Sequence, residues 1–475
     1  MKRTNLTTAA LLLLLLFIFA KPAQARQRET PRFLAITNVT LIDVIDGTAK
    51  PDMAVVVTGN QITALGQSRR VKVPKGAQLI DGRGKFLIPG LWDMHVHLGS
   101  NDLLLPIYIA NGVTSVRSMS DQVETIKNFR QQISDGKLTG PRIIATGGQI
   151  VDGPNPLWEG SIIASTAAEG QQAVTQVKRS GADFIKVYEM LPKEAYFGIA
   201  SEARKQAISF VGHVPRTVSA GEASDAGQLS IEHLLGIPLA CSSKETELRA
   251  RMLEASASND RNVRTAAYFR ADGEAYLSYD VEKATALFKT FVKNNTRVVP
   301  TLTNARAFTL LDKTDLAGDP RIKYMPQNLL GFWNAVITWQ LTADEKTIRQ
   351  ARFERQLNLV RAMNQAGVEI LAGTDTPNPL SFPGFGLHDE LSLLVRAGLT
   401  PTQALQAATR NAARFLGKLD SLGTIEKGKL ADLVLVEANP LEKIENTKLI
   451  AGVITNGRYF SKDALQKLLN ANSTN

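Results

Sequence analysis

The sequence predicts a mixed α/β protein, a (β/α)8 TIM barrel with a small β-sandwich domain built from both ends of the mature chain. Two observations predict this fold. The middle of the chain alternates short apolar strands with amphipathic helical stretches about eight times, as barrels do. Both ends alternate apolar and polar residues between turn-forming residues, which predicts short strands. The length of 475 residues allows one large domain and a smaller one.

The first 25 residues predict a secretory signal peptide. Lys2 and Arg3 precede an apolar run over residues 9–20, and a small-residue pattern ends at Ala25. The run is shorter than the roughly 20 residues that a membrane-spanning helix needs. We therefore expect cleavage after Ala25 and a periplasmic or secreted protein. An uncleaved membrane anchor is the alternative interpretation, and no second apolar run reaches membrane length.

The remaining chain divides into two predicted domains. Residues 26–88 and 418–475 are expected to pair into the small β-domain as short antiparallel strands, because both segments alternate apolar and polar residues. Residues 89–417 are expected to form the barrel.

The barrel region contains eight candidate strands, each a short apolar run. They are Gly90–Leu98, Val113–Met119, Arg142–Gly147, Asp183–Tyr188, Ile208–His213, Leu229–Leu234, Arg297–Thr303 and Val368–Asp375. Helical patterns separate them, for example over residues 167–181 and 192–207.

Two further features complete the predicted barrel. Thr400 and Gln403 form a capping pattern that predicts the start of one late helix over residues 400–417. Long insertions are predicted at residues 235–293 and 305–343, and long loops after barrel strands often build substrate pockets.

Charge and cysteine content exclude several classes of protein. The formal net charge is +10, but the basic residues are scattered, without the clusters or interleaved aromatic residues of a nucleic-acid interface. We therefore expect no nucleic-acid partner. Cys241 is the single cysteine, which excludes an intramolecular disulfide and a zinc cluster based on cysteine.

Four of the five histidines lie at the ends of candidate strands. His95 and His97 are two residues apart, which places both imidazoles on one face of a strand. His213 and His233 end the fifth and sixth strands. Active sites of barrels lie at the carboxyl ends of the strands, so this pattern indicates a site for zinc or a similar ion.

Two other residues fit such a site. Asp375 ends the eighth strand, where it could bind a metal and accept a proton from water, or merely cap a turn. Lys186 lies inside the apolar fourth strand, where burial favours a neutral amine. A neutral amine can capture carbon dioxide as a carbamate, whose two oxygens could bridge two cations. The alternative is a lysine that extends to the barrel rim.

Together these positions resemble the amidohydrolase superfamily, specifically its binuclear metal-dependent members. The resemblance includes the leading LIDGRGKFLIPGLWDMHVHLG and the closing GLTPTQALQAATRNAARFLGKLDSLGTIEKGKLADLVLVEANP, and it covers nearly the whole mature chain. Within the superfamily the chain is most similar to imidazolonepropionase-related proteins and to Xaa-Pro or Xaa-Arg dipeptidases.

The resemblance implies two divalent metal ions, with zinc as the first choice and manganese, cobalt or iron as alternatives. His95, His97 and Asp375 would bind the more buried ion, and His213 and His233 the more exposed one. Lys186, carboxylated on its amine, and a hydroxide would bridge the two ions. Asp375 would then take the proton of the attacking water and pass it to the leaving group.

Two departures from the family pattern affect the expected substrate. Imidazolonepropionase uses one metal and lacks the bridging lysine, so Lys186 argues against that activity. Related dipeptidases often carry a histidine in the loop after the third strand, where this chain has Gln149.

Three residues are candidates for contact with the substrate. Tyr188 shares the strand face of Lys186 and could donate its hydroxyl to a carbonyl or oxyanion, or pack at the mouth. Arg306 could pair with a carboxylate. His388 could bind a carboxylate or cap the following helix.

The sequence therefore predicts an exported metal-dependent hydrolase of amide C–N bonds, with dipeptides or N-acyl amino acids as substrates. Cyclic amides, lactones and phosphotriesters suit the same centre and remain alternatives. A non-catalytic, ligand-binding relative is a second class of function. The expected partner is a small amide or peptide, with no stable membrane span after cleavage, and a homo-oligomer is left open.

Overall fold

The computed structural model of the protein describes residues 33–310, 318–337 and 342–471. The predicted signal peptide and parts of the second predicted insertion lie outside these residues. The strands, in chain order, are β1 (Phe33–Asp43), β2 (Thr48–Thr58), β3 (Gln61–Gln67), β4 (Gln78–Asp81), β5 (Phe86–Pro89), β6 (Leu91–Val96), β7 (Val113–Ser118), β8 (Arg142–Thr146), β9 (Ile150–Asp152), β10 (Ile162–Ile163), β11 (Phe184–Val187), β12 (Ser209–Gly212), β13 (Ser230–Glu232), β14 (Arg297–Val299), β15 (Leu433–Val436), β16 (Ile450–Thr455) and β17 (Arg458–Ser461).

The helices cover most of the residues between these strands. They are α1 (Leu105–Ala110), α2 (Val123–Ser134), α3 (Ala167–Ser180), α4 (Lys193–Lys205), α5 (Ala220–Asp225), α6 (Ile237–Ala240), α7 (Glu245–Ser256), α8 (Arg261–Leu277), α9 (Val281–Asn294), α10 (Leu302–Leu310), α11 (Gln327–Val336), α12 (Ala343–Gln365), α13 (Phe385–Arg396), α14 (Pro401–Ala407), α15 (Arg410–Phe415) and α16 (Lys462–Asn470). Short 3-10 helices occur at Asp102–Leu104, Ile322–Tyr324 and Ile444–Lys448.

The middle of the chain forms two parallel sheets with helices between successive strands. One sheet has the order β6-β7-β8, and the other has the order β10-β9-β11-β12-β13-β14. Most of these strands are buried, as expected for parallel strands covered by helices, and β10 at the edge of the second sheet is the exception. The protein is therefore a mixed α/β structure with parallel sheets, and seven of the eight predicted barrel strands are present.

The predicted eighth strand, residues 368–375, does not form a regular strand. It lies between β14 and β6, where Leu371 N donates to Val298 O at 3.0 Å and Met94 N donates to Ala372 O at 2.9 Å. Gly373 permits this close approach, because a β-carbon there would lie 2.9 Å from the backbone nitrogen of His95. Among the described residues, the ladders therefore stop short of one continuous closed sheet.

The two ends of the chain meet in one eight-stranded sheet. Its order is β17-β16-β15-β5-β1-β2-β3, and β4 also pairs with β1. The expectation of antiparallel pairing is wrong for β4, which runs parallel to β1, and for the contact between β5 and β1, which is also parallel. Where the two ends of the chain meet, β5 pairs antiparallel with β15. The connection over residues 68–77 returns the chain to the end where β1 begins, so the next strand runs in the direction of β1.

The single late helix predicted over residues 400–417 is wrong, because two helices, α14 and α15, occupy this segment. The capping pair of Thr400 and Gln403 is present. The break follows from contacts with the sheets: the carbonyl of Ala408 accepts from Trp92 N at 2.8 Å instead of continuing the helical ladder.

The largest apolar core lies between the parallel sheets and their helices, and a separate core lies against the eight-stranded sheet. In the part of the chain that the structure describes, every helix is too short or too polar to cross a bilayer.

Candidate active site

The sequence-predicted histidines lie at the carboxyl ends of parallel strands. His95 is within β6 and His97 follows it directly. His213 comes directly after β12, and His233 comes directly after β13. Because carboxyl ends of neighbouring parallel strands share one edge, the four imidazoles are brought together.

Asp375 lies at the centre of this group. Its Oδ1 is 3.0 Å from His97 Nε2 and 3.3 Å from His95 Nε2, and its Oδ2 is 3.8 Å from His233 Nδ1. His95, His233 and Asp375 each offer a ligand atom, and these atoms all lie within 4.8 Å of one another. The family resemblance assigns His95 and Asp375 to one ion and His233 to the other. In the structure, the ligand atoms of all three residues form one group.

His213 lies at the edge of the same cluster. Its ring centroid is 4.9 Å from that of His233. Its Nδ1 lies 3.3 Å from Glu189 Oε1, which leaves Nε2 for other partners. The other ring contact is Tyr188, stacked on His213 with centroids 4.0 Å apart.

Lys186 is fully enclosed beside the histidines. Its side chain is 1% exposed, and its Nζ has no hydrogen-bond partner among the described residues. Gly212 has a φ of +129°, and a β-carbon there would lie 3.0 Å from Lys186 Cδ. A glycine therefore makes room for this lysine on the neighbouring strand.

The donor atoms fit a divalent metal ion. Within the described residues, His95 Nε2 and Lys186 Nζ are buried polar atoms without a hydrogen-bond partner, and such atoms are costly unless they bind something. Imidazole nitrogens and carboxylate oxygens are ligands that zinc and similar metals prefer. These two atoms, which have no protein partner among the described residues, therefore lie where metal ligands are expected.

Burial sets the protonation of these groups. It holds the pKa values of His95 and His213 well below their usual range, and it lowers the pKa of His233 to about 3. Burial also lowers the pKa of Lys186 to about 8, against the attraction of Glu232 and Asp375. The imidazoles of His95, His213 and His233 are therefore neutral at pH 7, the form that binds metals.

Asp375 remains ionised in the same surroundings. Burial alone would raise its pKa, but attraction to His233, which is protonated only at low pH, and the hydrogen bond with His97 outweigh burial and hold the pKa below its ordinary value. A carboxylate that stays charged at the centre of the cluster can bind a cation or accept a proton.

Five partners that the sequence analysis did not identify hold these side chains. Four of them lie next to the Nδ1 atoms of the histidines: Glu232 at 2.8 Å from His95, Ser120 at 3.0 Å from His97, Thr301 at 2.7 Å from His233 and Glu189 at 3.3 Å from His213. The fifth, Asn304, donates to Asp375 Oδ2 at 2.8 Å. Glu232 could have been found, since it is a charged residue inside an apolar strand. The hydroxyl and amide partners carry no such signal, because polar residues are common in loops and in the first turns of helices.

Glu232 is itself paired deep in the structure. Arg117, which is fully buried, donates to Glu232 Oε1 at 2.9 Å and to Met94 O at 2.6 Å. The buried carboxylate thus has one charged partner and still accepts from His95. This arrangement fixes the His95 ring so that Nε2 points toward Asp375.

The backbone is strained where the site residues lie. His233, Thr301 and Asp375 have φ values of +61°, +46° and +60°. Non-glycine residues rarely adopt this conformation, and Thr301 is β-branched, which makes it less favourable still. Such strain concentrates at functional sites, where surrounding contacts maintain it.

Tyr188 lies where the sequence placed it, on the face of Lys186, with its ring 6.0 Å from Lys186 Nζ. Its hydroxyl accepts from Trp158 Nε1 at 2.5 Å. Because the indole only donates, the tyrosine keeps its own proton for another acceptor. Gln149, which stands where related dipeptidases often have a histidine, donates from Nε2 to the carbonyl of Gly160 at 3.2 Å.

The other two candidate substrate contacts have partners elsewhere. Arg306 lies 3.6 Å from Asp389, a carboxylate that also pairs with Arg321 and Lys448. His388 is 2% exposed, with Nε2 at 3.0 Å from Asn111 O and Nδ1 at 3.0 Å from Thr447 Oγ1.

These contacts give His388 a structural place between α13, α1 and the segment near Thr447. Both ring nitrogens are satisfied inside the protein, so neither faces a substrate. This contradicts the predicted carboxylate contact of His388, and its position within α13 also contradicts the capping alternative.

The buried His388 predicts a pH-dependent contribution to stability. Burial lowers its pKa to about 4, from an ordinary 6.5, so the unfolded chain binds this proton more tightly. The contribution is complete above pH 6.5 and is lost as the pH falls toward 4, by about 3 kcal/mol. We expect His388→Gln, which keeps a donor for Asn111 O, to lose less unfolding free energy than the wild type between pH 7.5 and 4.5. Equal pH dependence in urea unfolding of the two metal-free proteins would reject this assignment.

Comparison with known proteins supplies the family context. The profile of the Amidohydrolase family matches residues 86–459. Ochratoxinase of Aspergillus niger is 24% identical to this chain over 502 residues, covering 92% of this chain and 91% of the relative.

Solved structures give a similar result. Bottromycin amidohydrolase has a TM-score of 0.73 at 23% identity and covers 94% of this chain and 91% of its own. A Xaa-Pro dipeptidase with bound methionine in the active site has a TM-score of 0.64 at 20% identity, with coverage of 90% and 100%. At these identities the solved structures indicate a shared fold and nothing finer.

Proposed function

The chain belongs to the amidohydrolase family, and on that premise we propose that it is a metal-dependent hydrolase of dipeptides or N-acyl amino acids. That it is a hydrolase of amide C–N bonds is supported along nearly its whole length by the similarity to ochratoxinase. The observation that carries the proposed metal dependence is the group of His95, His233 and Asp375 beside the buried amine of Lys186, which has no hydrogen-bond partner among the described residues.

The residues that would hold two divalent ions, zinc first, are those of the cluster. They are His95, His97, Lys186 as a carbamate, His213, His233 and Asp375. When bound, such ions lower the pKa of water and polarise a carbonyl. Glu232 and Ser120 orient His95 and His97 by hydrogen bonds on the ring nitrogens that face away from Asp375, and Thr301 holds His233 through Nδ1.

Two residues have direct roles in the proposed reaction. Asp375 accepts the proton of the attacking water at a carboxylate oxygen and returns it to the leaving nitrogen. Tyr188 donates a hydrogen bond from its hydroxyl to the carbonyl oxygen as negative charge develops there, and it keeps its proton. Trp158 supports this role, because its indole N–H occupies a lone pair of the tyrosine oxygen and aims the remaining proton elsewhere.

The proposal includes features that remain predictions. We infer that the parallel sheets belong to a (β/α)8 barrel over residues 89–417 and that residues 26–88 and 418–475 form the small β-sandwich domain. The shared eight-stranded sheet supports that pairing of the two ends. Residues 1–25 are proposed to direct export, to the periplasm or outside the cell.

The test is hydrolysis by the protein lacking residues 1–25, loaded with zinc, across a mixed panel of substrates. The panel contains Xaa-Pro, Xaa-Arg and apolar dipeptides, N-acyl amino acids, cyclic amides, lactones and a phosphotriester. We expect cleavage of linear amides that stops with a chelator and returns with added metal. Cleavage confined to lactones or phosphotriesters would keep the metal centre and reject the proposed substrate class. Bound metal without any turnover would favour a ligand-binding relative.

A further inference from the structure

The imidazole of His213 is held from two directions. Tyr188 stacks on its face, and Glu189, the next residue in the chain, places Oε1 at 3.3 Å from its Nδ1. Since the Nδ1 edge is engaged by a carboxylate, Nε2 is the nitrogen left to face the cluster. The orientation of this proposed ligand therefore depends on where Glu189 lies.

Arg216 fixes Glu189. Its Nη2 donates to Glu189 Oε2 at 3.1 Å, and its backbone nitrogen donates to the carbonyl of Glu189 at 2.9 Å. Glu189 is 9% exposed and Arg216 is 4% exposed. The guanidinium occupies Oε2, which leaves Oε1 for His213.

The other side of Arg216 is held by helices of the predicted insertion. Its Nη1 donates to the carbonyl of Arg264 at 3.1 Å, and its guanidinium carbon lies 5.2 Å from the centre of the Tyr268 ring. Both residues are in α8. From α7, Arg249 donates to the backbone carbonyl of Arg216 at 2.9 Å. The insertion thus contacts the backbone carbonyl of Arg216, one nitrogen of its guanidinium group and the face of that group.

A buried ion pair of this kind gives little net stability by itself. Well-packed apolar residues of similar volume are often as stable or more so, because two charges must leave water. The ion pair of Glu189 and Arg216 instead provides a charged hydrogen-bond acceptor for Nδ1 of His213, which apolar residues cannot provide.

We propose that Arg216 and Glu189 are positioning residues for His213 and that α7 and α8 support them. This inference rests on the proposed metal-dependent function, because His213 is a proposed ligand. The insertion then acts by fixing the geometry of the proposed metal centre. Changes in α8 that release Arg216 should reach the centre through the Glu189 carboxylate.

The first experiment measures metal binding by the otherwise unchanged protein. We expect Arg216→Met to weaken the affinity for zinc about tenfold to a hundredfold, measured by competition with a chromophoric chelator. Arg216→Lys should restore part of that affinity, and Glu189→Gln should resemble Arg216→Met. Arg251→Met is the matched control, because Arg251 in α7 pairs with Glu274 at the surface of the same insertion. Wild-type affinity in Arg216→Met, Arg216→Lys and Glu189→Gln would overturn the proposal.

A second readout needs neither metal nor turnover. The chain has five histidines, so selective nitrogen labelling gives few ring signals, and a His213→Gln variant identifies those of His213. We expect the metal-free wild type to carry the proton on Nδ1 of His213, and Arg216→Lys to retain that tautomer more fully than Glu189→Gln. An identical tautomer in wild type and Glu189→Gln would overturn the positioning role. Failure of the wild type to bind any divalent ion would instead reject the proposed function, and it is seen before a variant is made.

Discussion

Replacing Lys186 by methionine is expected to abolish most activity without destabilising the metal-free fold. The methionine fills the same volume and removes a buried amine that has no hydrogen-bond partner among the described residues. We expect the unfolding free energy to stay equal or rise, by up to about 3 kcal/mol, because an unsatisfied buried polar group is costly. Activity should fall below about 1%, a loss of about 2.7 kcal/mol in transition-state stabilisation. Urea unfolding and steady-state kinetics measure the two effects.

A second variant tests why Lys186 matters. Lys186→Ala opens space beside the cluster, and a small carboxylic acid can supply the two oxygens that a carbamate would supply. We expect acetate to restore part of the lost activity and acetamide, its neutral isostere, to restore none. Full activity in Lys186→Met, or equal effects of the two additives, would contradict the bridging role.

Replacing Asp375 by asparagine is the second large effect expected. The amide keeps the size and one oxygen of the carboxylate but cannot accept the proton of the attacking water. We expect kcat to fall about 10²-fold to 10⁴-fold, the range of general acid–base catalysis, with a smaller change in KM. Steady-state kinetics and metal analysis of the same preparation measure the loss and show whether both ions remain bound.

The matched control makes the same change at an exposed carboxylate. Asp102 lies in a 3-10 helix shortly after β6, and Asp102→Asn should leave kcat within about twofold of the wild type. An Asp375→Asn variant that turns over at the wild-type rate with its metal in place would exclude Asp375 as the proton acceptor.

Most of the strands could be predicted from local pattern. Short apolar runs placed β6, β7, β8 and β11 to within a few residues, because a buried parallel strand needs a continuous apolar sequence. The eighth apolar run, residues 368–375, does not form a regular strand. It lies against β6 and β14, but Gly373 and the positive φ of Asp375 interrupt the strand geometry.

The way in which strands and helices pair was harder to predict from the sequence. The direction of β4 and β5 depends on how residues 68–77 cross the sheet, and the break between α14 and α15 depends on Trp92, more than 300 residues earlier in the chain. Local sequence carries neither fact, because each is a contact with a distant segment.

The candidate site divides in the same way. The sequence by itself identified the side chains that meet at one edge of the sheets, because metal chemistry requires imidazole and carboxylate and strand ends give their place. It could not say what each of these side chains touches.

Only the tertiary structure decided those contacts. It gave His213 the Glu189 and Arg216 pair, left the Lys186 amine without a partner among the described residues, and placed His388 between Asn111 and Thr447. The physical reason is that burial and hydrogen bonding are properties of segments brought together in space. The sequence therefore determined which groups are available for chemistry, and the fold decided which of them are free to perform it.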